Sequence, residues 1–411
     1  MDETAPIPRP TLRGLLANPG YRRLWAARTV SQWGDVAQFT TLGLLLFSLT
    51  GSGLGVSGAV IAEIVPVLLL APVAGALVDR LPRVRVMVLA DLARVGLAGT
   101  LALWHEDAAV AYLVAAGLSA GAVFFNPAAS SVLPSLVNED ELVAANSGIW
   151  TAAVTSQVVL APVAGLLAAT VGFGPAFAAN AGSFGVSALL LRGLVVPGTP
   201  GRVHATSVVA QAREGISALV SSPLLRALGA AQLLAALSAG ATSALLVVLA
   251  RRSLGTDGAG FGVLLGAIAV GALAGPWFLT RFVRNSLRPV FVFGPFALRG
   301  VVDLVLAVVT TVPAAALALV TYGIGTSTGS ITFTSLIQTR VPGELRGRAF
   351  AGFDFLWQLG RLVSLLAGGL LADRFGIQVV YVLGGLLLLA AGACGRALTR
   401  GQGSAWAGPW P

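Results

Sequence analysis

The sequence predicts an all-α membrane protein of twelve transmembrane helices, arranged as two six-helix halves. Three observations carry this: an apolar composition, long runs without charge, and an internal repeat. Of the 411 residues, 56% are hydrophobic and 10% are charged, against roughly 25% charged residues in soluble domains. No Asp, Glu or Arg interrupts residues 36–62, 108–138, 142–191, 304–339 or 375–395. Several of these runs exceed the roughly 20 residues that a helix needs to span hydrocarbon. Ala and Leu dominate and strand alternation is missing, which argues against a transmembrane barrel.

Charge clusters and Gly/Pro turns set the elements in order. Span one, 24–48, follows the basic pair Arg22-Arg23, and span two, 54–78, ends in the charge-dense turn from Gly75 to Arg85. Spans three and four fall at 86–104 and 109–133. The long run 142–191 holds spans five (143–168) and six (175–194), separated by Gly172-Phe173-Gly174-Pro175. The remaining spans are placed at 225–250, 259–280, 289–309, 313–336, 349–371 and 377–396. The expected organisation is a tail (1–23), a first half (24–194), a central loop (195–223), a second half (224–396) and a second tail (397–411). Within the central loop, Val208, Val209, Ala212, Ile216 and Leu219 fall at helical spacing opposite Gln211, Arg213 and Glu214. That pattern predicts a short interfacial helix.

Every basic side chain is arginine, because the chain contains no lysine. With the N-terminus inside, the tails and even-numbered loops hold nineteen arginines, and the opposite side holds Arg251, Arg252 and Arg374. Such a bias places both termini on the cytoplasmic side of the cell's inner membrane. The net charge of +9 then reflects topology and anionic headgroups rather than nucleic acid. The polar leader carries prolines and arginines and runs into a full-length apolar segment, so span one is expected to be its own insertion signal. The lone Cys394 excludes an internal disulfide, and the two histidines, His105 and His204, are too far apart for a zinc site. Without lysine there is no phosphate-binding loop of the GxxxxGK[ST] type, so ATP hydrolysis through such a loop is excluded. No metal or cofactor is expected.

The repeat has an offset of 204: Gly165-Leu166-Leu167-Ala168-Ala169-Thr170-Val171-Gly172 and Gly369-Leu370-Leu371-Ala372-Asp373-Arg374-Phe375-Gly376 share five of eight residues. The preceding loops, 137–142 and 341–345, match with one deletion. Ala74-Gly75 opens a run ending at Arg80, as Ala274-Gly275 opens one ending at Arg281. Parallel repeats of this kind suit alternating access about a midplane site.

Charges inside the bilayer cost about 2.5–3.5 kcal/mol on insertion scales and are expected to face a cavity or a partner. Span one carries Arg28, Gln32 and Asp35 along one helical stripe. Asp35 falls near the midplane and Glu63 in the outer half of span two, neither with a basic residue one turn outward. A carboxylate in such a place is a candidate for proton coupling or for binding a substrate cation; the alternative is hydrogen-bonded helix packing. Span eleven repeats the stripe as Asp354, Gln358 and Arg361, with function and structure equally open. Asp91 and Arg94 in span three, and Arg299 and Asp303 in span nine, stand three and four residues apart and are expected to pair within their helices. Phe124, Phe125, Trp150, Phe333, Phe353 and Trp357 are candidates to line an apolar cavity. Gly117/Gly121 and Gly262/Gly266 offer faces for close helix crossing.

The turn Gly75-Ala76-Leu77-Val78-Asp79-Arg80-Leu81-Pro82-Arg83 resembles the GxLaDRxGR motif between spans two and three of the major facilitator superfamily, and the likeness to that family extends over nearly the whole chain. Gly75, Leu77, Asp79, Arg80 and Arg83 match; Pro82 stands where the family usually has glycine. The resemblance implies a cytoplasmic latch at Gly75, Asp79, Arg80 and Arg83 that stabilises the outward-open state, with its geometry altered at Pro82. Asn18-Pro19-Gly20-Tyr21-Arg22-Arg23-Leu24-Trp25, Gln32-Trp33-Gly34-Asp35, Phe125-Asn126-Pro127-Ala128 and Leu133-Pro134-Ser135-Leu136-Val137 resemble the drug:proton antiporter branch that includes macrolide and siderophore exporters. The antiporter signature of span five survives only as Ala161-Pro162-Val163-Ala164-Gly165, and the arginine that many drug exporters carry in span four is missing. The resemblance implies a non-enzymatic, proton-coupled exporter of hydrophobic or amphipathic small molecules, acting as a monomer with protons and membrane lipids as its other partners. An importer or facilitator of the same fold, or a non-transporting receptor or assembly subunit, remains the alternative.

Overall fold

The computed structural model describes residues 12–138, 141–196, 217, 222–282, 288–341 and 343–399. Among them are twelve helices of 18 residues or more. They are α1 (Pro19–Thr50), α2 (Gly53–Arg80), α3 (Arg83–Leu103), α4 (Ala108–Val132), α5 (Leu142–Thr170), α6 (Phe173–Arg192), α7 (Pro223–Ala244), α8 (Gly258–Phe282), α9 (Pro289–Leu306), α10 (Val312–Arg340), α11 (Gly343–Phe375) and α12 (Ile377–Leu398). A short helix, Leu12–Ala17, precedes α1, and another, Leu246–Arg252, extends α7. The amphipathic segment predicted in the central loop lies almost wholly outside the described residues.

Eleven of the twelve helices are long and apolar enough to cross a membrane. The twelfth is α1, whose apolar character is diluted by Arg28, Gln32, Asp35, Gln38, Thr40 and Thr41. Gln38, Thr40 and Thr41 are buried inside the bundle, so that polarity is turned inward. The start of α1 is fixed by Asn18, whose side-chain oxygen accepts from the amides of Gly20 and Tyr21 at 2.9 and 3.2 Å, satisfying the donors that open a helix. Its amide donates to Leu136 O at 2.6 Å, and the Tyr21 hydroxyl to Ala145 O at 3.0 Å. The motif at Asn18–Tyr21 thus ties α1 to the ends of α4 and α5.

Helix packing repeats by six. In the first half α1 packs on α5 and α6, α2 on α4, and α3 on α4 and α6; in the second, α7 packs on α11 and α12, α8 on α10, and α9 on α10 and α12. The turns repeat as well. Among the described residues four glycines have φ between 60° and 94°, Gly51, Gly172, Gly255 and Gly376, conformations that side chains resist. They form two pairs, Gly51 with Gly255 and Gly172 with Gly376, each separated by 204 residues.

The halves meet through α5 against α8 and through α2 against α11. A Cβ on Gly165 would lie 1.9 Å from Gly258 O, and one on Gly262 would lie 2.3 Å from Ala161 O. The second crossing is the repeat of the first: a Cβ on Gly369 would lie 2.8 Å from Leu54 Cα. All these contacts lie toward the end of the bundle remote from the chain termini, the far end. There one apolar core joins Val36, Leu44, Val56 and Ala161 to Leu245–Ala250 and Phe261. At the terminal end the core is divided. One cluster runs from Leu15 and Tyr21 to Leu194, all from the first half, and the other from Leu224 to Ala391, all from the second. The bundle is closed at its far end.

Candidate functional site

Arg94 on α3 is the centre of the charge cluster in the first half. Its guanidinium forms an ion pair with Asp35 on α1 and another, at 3.3 Å, with Asp91 one turn earlier on α3. The Ser31 hydroxyl accepts from Nη1 at 3.1 Å, and the guanidinium lies 3.9 Å from the ring centre of Phe184 on α6. The Arg94 and Asp91 side chains are 3% and 0% exposed, whereas Asp35 is 44% exposed. Asp35 therefore has a basic partner after all, supplied from 59 residues away. Gly121 on α4 makes the site possible, since a Cβ there would lie 2.7 Å from Arg94 Cγ. Arg28 and Gln32 are half-buried on α1.

The second half departs from expectation. Arg299 and Asp303 on α9 do not form a direct ion pair. Arg299 donates to the Tyr322 hydroxyl on α10 at 2.8 Å, with its guanidinium 4.7 Å from that ring's centre. Asp303 accepts from Ser238 on α7 at 3.4 Å. Side chains on a helix lean toward its N-terminus, so an arginine four residues before an aspartate reaches away from it. In α3 the order is reversed, and Arg94 leans back onto Asp91.

Glu63 on α2 borders a small cavity with Phe39, Leu42, Ala244 and Phe261, where the two halves meet. Arg361 on α11 and Asp35 are the charges within electrostatic reach of it. A larger cavity, of about 370 Å³, lies inside the second half, among Gln232 of α7, Phe296 and Arg299 of α9, Phe333 of α10, and Phe353, Asp354 and Trp357 of α11. Neither Asp35 nor Glu63 lines it. The span-eleven stripe is thus divided, Asp354 facing this cavity and Arg361 acting on Glu63. Of the six candidate aromatics, Phe333, Phe353 and Trp357 line the cavity. Phe124 and Phe125 pack in the core of the first half, and Trp150 is exposed.

The side chain of Asp79 lies outside the described residues. Arg83 donates to Ser131 O at 3.1 Å, joining the start of α3 to α4. Leu81 and Pro82 have φ of −104° and −58°, the second being the value that proline's ring imposes.

A lock that the sequence did not reveal closes the far end. Asp373 of α11 accepts from the Ser52 hydroxyl at 2.6 Å, Gly53 N at 2.7 Å and Leu54 N at 3.0 Å. It thus caps the first turn of a helix in the other half. Arg252 ion-pairs with Asp373 at 3.5 Å and donates to Gly51 O and Ala372 O. The available signal was Asp373 itself, an acid where the repeat has Ala169. A cap of this kind contributes about 0.5–2 kcal/mol. Asp373→Ala is expected to raise amide hydrogen exchange at Gly53 and Leu54 about tenfold, measured by mass spectrometry; unchanged protection would rule out the cap.

Two parallel six-helix halves, joined at one end and carrying charge clusters and a cavity within the bundle, define a multi-pass membrane transporter. The chain belongs to the Major Facilitator Superfamily, whose family model matches residues 24–365. It is 27% identical over 393 residues to the uncharacterized MFS-type transporter YfiS of Bacillus subtilis (strain 168), covering 91% of each chain. It is also 27% identical over 398 residues to the multidrug efflux pump Tap of Mycolicibacterium fortuitum, covering 92% of this chain and 95% of that one. Among solved structures, the nucleoside transporter NupG superposes with a TM-score of 0.74 at 13% identity, covering 92% of this chain and 99% of that one. A bacterial homologue of the iron transporter ferroportin in its inward-facing state gives 0.73 at 18% identity, covering 95% and 100%. At these identities the two structures establish the fold.

Proposed function

We propose that this transporter exports hydrophobic or amphipathic small molecules in exchange for protons, by alternating access in the plasma membrane with both termini cytoplasmic. The observation that carries the reading is the cluster of two carboxylates on one guanidinium, Asp35, Asp91 and Arg94. With both acids ionised the cluster holds one negative charge in excess, and a proton is the smallest group that neutralises it in a low-dielectric setting. Asp35 is the exposed member, through which a proton can reach the cluster; neutralising one acid leaves Arg94 a single carboxylate partner, and the tie between α1 and α3 changes with it. The excess of arginine at the terminal end supports the orientation, in which the closed far end faces outward and the bundle is open to the cytoplasm. The aromatic side chains of the cavity, Phe296, Phe333, Phe350, Phe353 and Trp357, support the substrate class, as does the likeness to efflux pumps. Reconstituted in vesicles with an imposed pH gradient, the protein is expected to move amphipathic dyes against their gradient, and Asp35→Asn to abolish the gradient-driven part. Equal uptake with and without the gradient would overturn the exchange.

A further inference from the structure

We propose that the cavity inside the second half recognises a monovalent organic cation with an aromatic body, with Asp354 as its counter-charge. This deepens the export reading and rests on it. A cavity of about 370 Å³ falls within the roughly 300–1,000 Å³ typical of ligand pockets. Five of the fourteen residues that line it are aromatic and six are polar or charged; Phe333 and Phe353 meet edge to face, with centroids 4.9 Å apart and planes at 72°, and Trp357 stands one turn from Asp354. Aromatic faces attract cations, the more so when water is excluded.

Among the described residues two charged side chains border the cavity, and they differ in what they offer. Arg299 is buried and its guanidinium is engaged with the hydroxyl and ring of Tyr322. Asp354 is exposed to the cavity and has no hydrogen bond or ion pair among the described residues. Exposed and unpaired among them, the Asp354 carboxylate is free to take a bound cation as its partner. Every lining residue belongs to α7, α9, α10 or α11, so the ligand is held by one half alone. By helical rise the cavity lies about 10–20 Å below the terminal end, on the side where the two cores are separate.

The test uses the full chain in detergent with two probes of one shape and opposite charge, tetraphenylphosphonium and tetraphenylborate. The cation is expected to bind about tenfold more tightly than the anion. Asp354→Asn is expected to remove that preference without lowering the melting temperature, and Asp354→Glu to keep it. Equal or tighter binding of the borate, or an Asp354→Asn protein that binds the cation as the parent does, would overturn the site. The two readings separate cleanly. Asp354-dependent binding without gradient-driven movement in vesicles would sink the export reading and leave the site. Export of the cation that Asp354→Asn leaves unchanged would do the reverse.

Discussion

Arg94→Leu is expected to cost about 3–5 kcal/mol of folding stability, the usual effect of stripping one partner from a buried ion pair. The change leaves Asp91, whose side chain is 0% exposed, as a buried carboxylate without its counter-charge. It also releases Ser31 and uncovers the ring of Phe184, on which the guanidinium rests. The prediction is specific to charge rather than to packing. Adding Asp91→Asn to Arg94→Leu removes the stranded charge and is expected to restore most of the loss. Thermal unfolding of the purified protein in detergent checks both. A single Arg94→Leu variant melting with the parent would show that the cluster does not hold α1, α3 and α6 together.

Gly165→Ala is expected to disable transport by a different route. The added Cβ would sit 1.9 Å from Gly258 O, a backbone atom that cannot swing aside, and overpacking of this kind costs about 1–3 kcal/mol. That cost falls on the conformation in which the far end is closed and vanishes when α5 and α8 part. The substitution therefore shifts the conformational equilibrium by about 5- to 150-fold while each half stays intact. In a Cys394→Ser background, a cysteine placed at Ala161, which is 0% exposed in the seam, is expected to react with a membrane-impermeant maleimide far faster when Gly165→Ala is present. Gly182→Ala is the control, since nothing lies within 4 Å of its Cβ position. Labelling at the parent rate would mean that the crossing relaxes without opening.

The helices were legible because charge marks their ends and hydrocarbon dictates their length; the predicted limits of α2 to α6 fall within a few residues of those observed. The repeat was legible in Gly165–Gly172 and Gly369–Gly376, and the same register lies in Gly51 and Gly255, where a loop shows little but its glycine. The site was less readable. Asp35 was picked out as an isolated acid, yet its partner stands on another helix, and no local pattern joins positions 35 and 94. Spacing suggested that Arg299 and Asp303 pair, but spacing has no direction, and the lean of side chains along a helix decides which order closes. The cap at Asp373 eluded the sequence because its partners are backbone amides of α2, which every helix start presents alike. The cavity around Asp354 needs four helices at once.

None of the helix pairings described above draws on the chain between Arg192 and Pro223. Each half carries its own buried core and its own glycine turns, and each presents to the other a seam and a cap that recognise surfaces, not sequence neighbours. The contacts between the halves among the described residues thus do not depend on covalent continuity. Two polypeptides divided in that interval would each keep the seam and cap contacts described for the halves, and would meet as the partners of a heterodimer do.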